Sequence, residues 1–185
     1  MLGGWFQKTL QIKAKGRGCF LITDEVKRQL GSDLARFQVG IAHLFIQHTS
    51  ASLTLNENWD SDVRLDMEDA LNRLVPEEAP YRHTAEGSDD MPAHVKSSLF
   101  GASMSIPITN GSFNLGTWQG IWLCEHRDRP CMYHPSLVPV AFVVVLCCCL
   151  KFLFFFLFLF FFTSSCSSLF FLLLLYFFLF FFFFL

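Results

Sequence analysis

The chain has 185 residues, 52% of them hydrophobic, and 14 basic against 16 acidic side chains give it a formal charge of −2. Such a balance excludes a non-specific nucleic-acid binder, which needs clustered Lys and Arg to replace phosphate counterions. Composition also changes abruptly near Pro135. Residues 1–136 hold all 16 acids, all six histidines and 13 of the 14 basic residues, a formal −3.

The opening "MLGGWFQKTLQIK" lacks the positive start and unbroken apolar run of a secretory leader. "WFQKTLQIKAKGRGCFLIT" predicts two strands joined by a turn at Gly16 and Gly18. Thr23 then caps a helix whose first turn carries Asp24 and Glu25. Val26 and Leu30 lie one turn apart, and Gly31 stops it. "FQVGIAHLFIQH" is a mostly buried strand, in which His43 is a core or interface histidine. "DSDVRLDMEDALNRL" is the clearest helix, with Val63, Met67, Ala70, Leu71 and Leu74 recurring at helical spacing. "SDDMPAHVKSSLFG" is a shorter one, capped by Asp89 or Asp90, with Pro92 in its first turn. "ASMSIPI", the turn at Asn110-Gly111 and "FNLGTWQGIWLCEHRD" form a closing hairpin. The order β-β-α-β-β-α-α-β-β predicts an α+β fold, a mixed β-sheet domain with a few helices.

Domain organisation divides at 130, with residues 131–185 forming a Phe/Leu-rich low-complexity tail. From Leu137 onward, 49 residues include 18 Phe and 13 Leu, and only Lys151 is charged. The run Leu169–Leu185 approaches the roughly 20 residues a membrane-spanning helix needs, so one reading is a C-terminal membrane anchor with Arg127 and Arg129 on the cytosolic side. The other is a translated pyrimidine-rich, non-coding tract. The absence of Ile and Trp favours the second, since genuine spans mix apolar types and mark their ends with aromatics. Cys19, Cys124 and Cys131 show no paired spacing, so nothing reads as a disulfide framework or zinc knuckle. Residues 1–136 are expected to be cytoplasmic and reduced, with membrane association only through the tail.

Three histidines fall in stretches dense with polar groups. His48 ends a strand, His83 stands in "YRHTAEGSDDMPAH", and His94 follows on the short helix. Three imidazoles and a water would make an open site for a zinc-like metal. The competing assignment is polar hydrogen bonding in a core or interface. Asp89 and Asp90 would either hold Mg²⁺ on a substrate phosphate or cap the helix. His126 and His134 are expected at the surface. Ser50 and His48 share a strand face but lack a third orienting residue for nucleophilic catalysis. "HTSAS" reads better as donors to an anion. Asn56, Glu57 and Asn58 add dipoles and a carboxylate before a helix N-terminus, or Asn58 or Asp60 merely caps it. In "LGTWQGIWLCEHRD", Gly116 and Gly120 allow a bend or close approach, and Trp118 and Gln119 offer a stacking surface and an amide. Glu125, Arg127 and Asp128 could form a charged network, or else the stretch is a packed bulge with a subunit-interface salt bridge.

Taken together, "HTSASLTLNEN", "HTAEGSDDMPAHVK" and "GTWQGIWLCEHRD" resemble the YjbQ-like family, often named secondary thiamine-phosphate synthases, from about Phe6 to Arg129. The resemblance implies a homotrimer with a polar pocket near a subunit boundary. It places His48, Glu57, His83, His94, Trp118 and Gln119 at that pocket. Glu57, Trp118 and Gln119 would be catalytic, with Ser50, Asn56 and Asn58 binding a cofactor or anion and His48, His83 and His94 binding metal. The implied function is a metal-dependent enzyme of phosphorylated small molecules with weak thiamine-phosphate synthase activity, or else a non-catalytic trimeric binding module. The resemblance also implies a last strand after Pro130. Here that strand is expected to be missing, exposing a sheet edge.

Overall fold

The computed structural model describes residues 5–128 and 137–145. Among these, eight strands form two antiparallel sheets, accompanied by three helices and a short 3-10 turn, Leu34–Arg36. The strands are β1 (Trp5–Lys13), β2 (Gly18–Leu21), β3 (Val39–Ile46), β4 (Ala51–Glu57), β5 (Ser103–Thr109), β6 (Ser112–Phe113), β7 (Gln119–Glu125) and β8 (Leu137–Val145). The helices are α1 (Thr23–Leu30), α2 (Ser61–Leu74) and α3 (Asp90–Phe100). One sheet runs β1-β8-β3-β5-β6 and the other β2-β7-β4. The α+β expectation holds.

Alternation explains the five-stranded sheet. In β3, Gly40, Ala42, Leu44 and Ile46 face inward, while Val39, Ile41 and Phe45 face out. One face is therefore packed and the other is presented to the outside, the usual antiparallel pattern. The inner faces of the two sheets meet in a single core that includes Leu10, Leu44, Leu53, Ile106, Leu123 and Phe142. The second face of the three-stranded sheet carries a smaller cluster, Cys19, Trp122 and Cys124, covered by Val63, Met67 and Phe100. Because β7 has cover on both faces, Gly120 through Glu125 are all buried. His43 is not in the core. It lies on the outer face of β3 and its Nδ1 meets Ser105 Oγ at 3.0 Å.

Local signals place several boundaries. Asn110 and Gly111 adopt φ of 51° and 73°, the left-handed pair a tight hairpin requires. Asp60, not Asn58, caps α2 by accepting from the Asp62 amide at 2.9 Å. In α2 the stripe ends at Leu71, and Leu74 is 68% exposed. Asp89 stands at the N-cap of α3 without a side-chain cap bond; its carboxylate is occupied elsewhere.

The largest correction concerns the C-terminal boundary. The strand expected to be missing is present: Leu137–Val145 lies between β1 and β3, pairing Trp5↔Val145 through Lys13↔Leu137 on one side and Ile41↔Val145 through Ile46↔Val140 on the other. The compact unit thus runs Trp5–Leu146, past the boundary at 130. The physical reason is composition. "LVPVAFVVV" is a run of β-branched and apolar residues, which suits a strand flanked on both sides. Val140, Phe142 and Val144 are fully buried, and Phe142 meets Phe6 and Phe113 edge-on. Pro139 would ordinarily argue against an interior strand. Its carbonyl accepts from the Gln47 amide at 3.0 Å, so its ring nitrogen also turns toward β3, just beyond the last β3 pair. Its missing N–H therefore breaks no bond to β1. Among the described residues no helix is long and apolar enough to cross a membrane; Leu169–Leu185 lies outside them.

Candidate metal centre

Two elements converge beside the start of β4. The Ala51 carbonyl accepts from Ser97 Oγ at 2.8 Å, seating α3 on β4. The His126 amide donates to the Ser50 carbonyl, prolonging the β4–β7 ladder past its end. On α3, Asp90 and His94 are one turn apart and so share a face, while the loop before α3 brings in His83. His83, Asp90 and His94 offer ligand atoms all within 4.8 Å of one another. His83 Nε2 lies 2.7 Å and His94 Nε2 3.3 Å from Asp90 Oδ2.

Proton positions follow from the partners. His94 Nδ1 is 3.0 Å from the Thr49 carbonyl, which can only accept, so Nδ1 carries a proton. In a neutral ring Nε2 is then a bare lone pair facing the Asp90 carboxylate. That contact is repulsive unless a cation, a proton or a metal, sits between them. The donor set, two imidazoles and one carboxylate, suits a zinc-like ion. Arg127 supports it by clamping Asp90 Oδ1, leaving Oδ2 to face the imidazoles, as outer partners of metal ligands commonly do. Arg127 also donates from Nε to Asp89 Oδ2 at 2.9 Å and from Nη2 to the Glu86 carbonyl at 2.7 Å. Burial alone would raise the Asp89 carboxyl, but the Asp128 amide and the Arg127 guanidinium outweigh it and hold it below the usual carboxylate range.

His48 stands close by in a different role. Its Nδ1 accepts from the Ser50 amide at 3.0 Å, so the neutral ring carries its proton on Nε2 and presents a donor there. Burial, then His94 and Arg127, depress its pKa and keep it neutral. A neutral imidazole in this tautomer cannot ligate through Nε2. Of the expected trio of His48, His83 and His94, the structure groups His83 and His94 with Asp90, while His48 stands beside them with its Nδ1 engaged by the Ser50 amide. Ser50 Oγ approaches His94 Nδ1 at 3.3 Å. Since that nitrogen is protonated toward Thr49, it cannot serve Ser50 as a base.

His126, expected at the surface, is fully buried. Its Nε2 meets Ser52 Oγ at 2.9 Å; burial, with Lys96 and Arg17 nearby, pushes its pKa down to about 3. Glu125 is also buried. Its Oε1 accepts from the His126 and Arg127 amides, yet burial outweighs them and raises its carboxyl. His134 lies outside the described residues.

The other predicted residues gather at the far end of the same strand pair. Ala51 pairs with Glu125 and Glu57 with Gln119, and six residue steps of strand separate these ends by about 20 Å. There Asn58 Nδ2 donates to the Thr117 and Gln119 carbonyls, and Gln119 Oε1 accepts from the Gly116 amide. Asn56 Oδ1 accepts from the Glu57 amide. Asn56, Asn58 and Gln119 therefore shape the loop rather than reach toward the imidazoles. At Gly120 a Cβ would collide with the Leu21 side chain and press on Asn58, so the glycine allows a close approach to these neighbours. Trp59 and Trp118 stand exposed, edge to face at 6.2 Å. Two clefts of about 650 and 450 Å³ are lined by other residues, the smaller including Asn58 and Gln119. His48, His83 and His94 line neither.

The comparisons with known proteins can now be set against this geometry. Residues 8–136 match the family model described as UPF0047 protein YjbQ-like. The chain belongs to the YjbQ-like UPF0047 family. It is 55% identical over 123 residues to UPF0047 protein YjbQ of Escherichia coli O157:H7, covering 66% of this chain and 88% of that one. Against UPF0047 protein YugU of Bacillus subtilis it is 41% identical over 128 residues, covering 67% and 94%. Among solved structures, an uncharacterised family member from Clostridium acetobutylicum superposes with a TM-score of 0.60 at 34% identity, covering 76% of this chain and 99% of that one. A YjbQ-like protein from Sulfolobus solfataricus reaches 0.65 at 19% identity, covering 77% and 98%, and supports the fold alone. The YjbQ-like fold is thereby shared over about three quarters of the chain.

Proposed function

We propose that the chain is a metal-dependent enzyme acting on phosphorylated small molecules, with its metal held by His83, Asp90 and His94. The observation that supports this most is the convergence of His83 Nε2 and His94 Nε2 on Asp90 Oδ2, at 2.7 and 3.3 Å, a donor set that a divalent cation can bridge. Bound there, a zinc-like ion would polarise a phosphoryl or carbonyl oxygen. Asp90 is held in one orientation by Arg127, His48 offers an Nε2–H to a developing oxyanion, and exposed Arg82, next to His83, supplies a cation for a phosphate.

Thiamine-phosphate synthesis is the named candidate, as a weak activity. Releasing diphosphate calls for several free cations. Arg127 is engaged by Asp89, Asp90 and Glu86, and Lys96 is fully buried and directed at Asn72. We further propose a cytoplasmic homotrimer. Support comes from the exposed Val39, Ile41 and Phe45 on the outer sheet face and from exposed Trp59 and Trp118. In such a trimer the tryptophan end of one subunit would meet the histidine end of the next, bringing Glu57, Trp118 and Gln119 to the metal. The test is metal analysis and sizing of the purified protein, with turnover assayed across phosphorylated substrates before and after chelation. Stoichiometric metal and chelator-sensitive turnover are expected. A protein that stays metal-free after zinc loading overturns the assignment.

The separation of about 20 Å between the two ends favours a second reading, a non-catalytic trimeric module that captures an anion. Tight ligand binding without turnover would establish it.

A further inference from the structure

Cys19 and Cys124, unrelated by any sequence spacing, are directly opposed across β2 and β7. Opposed residues on antiparallel strands have Cα atoms about 4.5–5.5 Å apart, inside the range of about 4.4–6.8 Å that a disulfide spans. Both are free and buried. The Cys124 thiol hydrogen-bonds to Cys19; that bond, and then burial, raise its pKa far above the usual thiol range, so Cys124 keeps its proton. The two residues differ in access: Cys19 is among the residues lining the larger cleft and is 8% exposed, whereas Cys124 is fully buried and lines neither cleft.

That cleft has a charge at odds with the rest of the molecule. Lys13, Lys15, Arg28 and Arg64 line it against a single acid, Glu25, although the chain as a whole is net acidic. Glu25 is already paired with Arg28 at 2.6 Å. Arg64 Nη1 is buried and has no acceptor among the described residues, and a buried donor without an acceptor calls for one. An anion satisfies it.

The geometry points to a thiol–disulfide exchange site, at which a small anionic disulfide of the oxidised-glutathione class enters the cleft and converts Cys19 and Cys124 into a cross-strand disulfide. The Cys19 thiolate attacks one sulfur of the ligand. A Cys19–ligand disulfide forms, the ligand's own S–S bond breaks, and one thiolate leaves. With Cys19 in the mixed disulfide, its hydrogen bond no longer holds the Cys124 proton; Cys124 passes that proton to a departing thiolate and its sulfur attacks Cys19 Sγ, breaking the mixed disulfide and releasing the second thiolate. The two protein protons end on the two leaving thiolates. The protein is oxidised by two electrons and the ligand is reduced to two thiols.

The test uses the full chain, reduced, desalted and exposed to oxidised glutathione, with non-reducing peptide mapping to distinguish Cys19 and Cys124 from the other five cysteines. A linked Cys19–Cys124 peptide pair is expected. C124S should stop at a glutathione adduct on Cys19, and C19S should leave Cys124 unmodified. Cystamine, a cationic disulfide, should react at least about tenfold more slowly, and R64Q should narrow that difference. Alkylation quenching of the wild-type time course should show the Cys19 adduct forming before the linked pair, a readout independent of how well the variants fold. Absence of any Cys19 adduct in that time course, or equal rates with cystamine and oxidised glutathione, overturns the proposal.

Discussion

The two ends of the β4–β7 pair are both dense in polar side chains, histidines and carboxylates at one, asparagines and a glutamate beside tryptophans at the other, yet they differ in what those residues are bonded to. At the histidine end side chains bond one another: Asp90 joins His83, His94 and Arg127. At the tryptophan end they bond backbone, with Asn58 and Gln119 holding the 116–119 loop. Side chains that bond backbone hold a shape, whereas two imidazoles that converge on one carboxylate offer a donor set to a cation. The comparison therefore predicts that function within one chain resides at the histidine end, and that the tryptophan end contributes through shape or through a neighbour.

The sharpest break is D90N. It removes the oxygen shared by both imidazoles and deprives the Arg127 guanidinium of a buried counter-charge. Zinc affinity in a chelator competition should fall by about 100-fold or more, and unfolding by denaturant should show a loss on the order of 3 kcal/mol. Unchanged zinc affinity would place the metal, if any, elsewhere.

Next in size is the contrast between H94A and H48A. H94A should cost about as much zinc affinity as D90N. H48A should leave affinity within about threefold, because its Nδ1 is engaged by the Ser50 amide and the ring enters as a donor. Equal losses in the two variants would restore the three-histidine site expected from the sequence. Retained metal together with retained turnover in H48A would remove His48 from the mechanism.

Legibility in the sequence follows the same divide between local and non-local information. The i,i+4 spacing of Asp90 and His94 on a helix is local, and it announces a shared face; the sequence reading treated Asp90 chiefly as a cap and so missed it as the partner. His48 has the right residue type in the right place, but its tautomer depends on a backbone amide two residues away, which no composition reveals. His126 follows Cys124 and Glu125 in a strand covered on both faces, so the alternation that separates surface from core elsewhere gives no signal. The Cys19–Cys124 pair depends on register between strands far apart in the chain. In β8 the local signal was present but ambiguous: "LVPVAFVVV" fits an interior strand as well as it fits an apolar tail, and only the slot between β1 and β3 decides.

The buried His126 gives the histidine end a pH signature. Its folded pKa of about 3 lies below the ordinary value of 6.5, so the unfolded chain binds the extra proton first. Its contribution to stability is complete above about pH 6.5 and is lost as pH falls toward 3, by up to about 1.4 kcal/mol per pH unit. Glu125, whose carboxyl is raised by burial, contributes in the opposite sense: stability present below its unfolded value of 4.5 is lost as pH rises through its folded value. Above 4.5, as far as the folded value of Glu125, the two therefore act against each other, and below 4.5 His126 acts alone of the pair. Chemical denaturation from pH 7 to 4 should show falling stability that flattens in H126Q. An H126Q curve parallel to wild type would mean the slope comes from other groups.

The smallest effect should come from W118A, and it tests the comparison from its other side. Trp118 is 60% exposed and touches Trp59 only by its edge, so within one chain its removal should change stability by less than about 0.5 kcal/mol. Zinc affinity should not move, because the proposed ligands His83, Asp90 and His94 lie some 20 Å away along the strands. If a neighbouring subunit brings this end to the histidine site, W118A should instead weaken assembly or ligand binding, and it should do so with zinc affinity intact. Sedimentation at several concentrations, run beside the zinc titration, separates these outcomes. A variant that assembles, binds metal and binds ligand like the wild type would confine the tryptophan end to shaping its own loop.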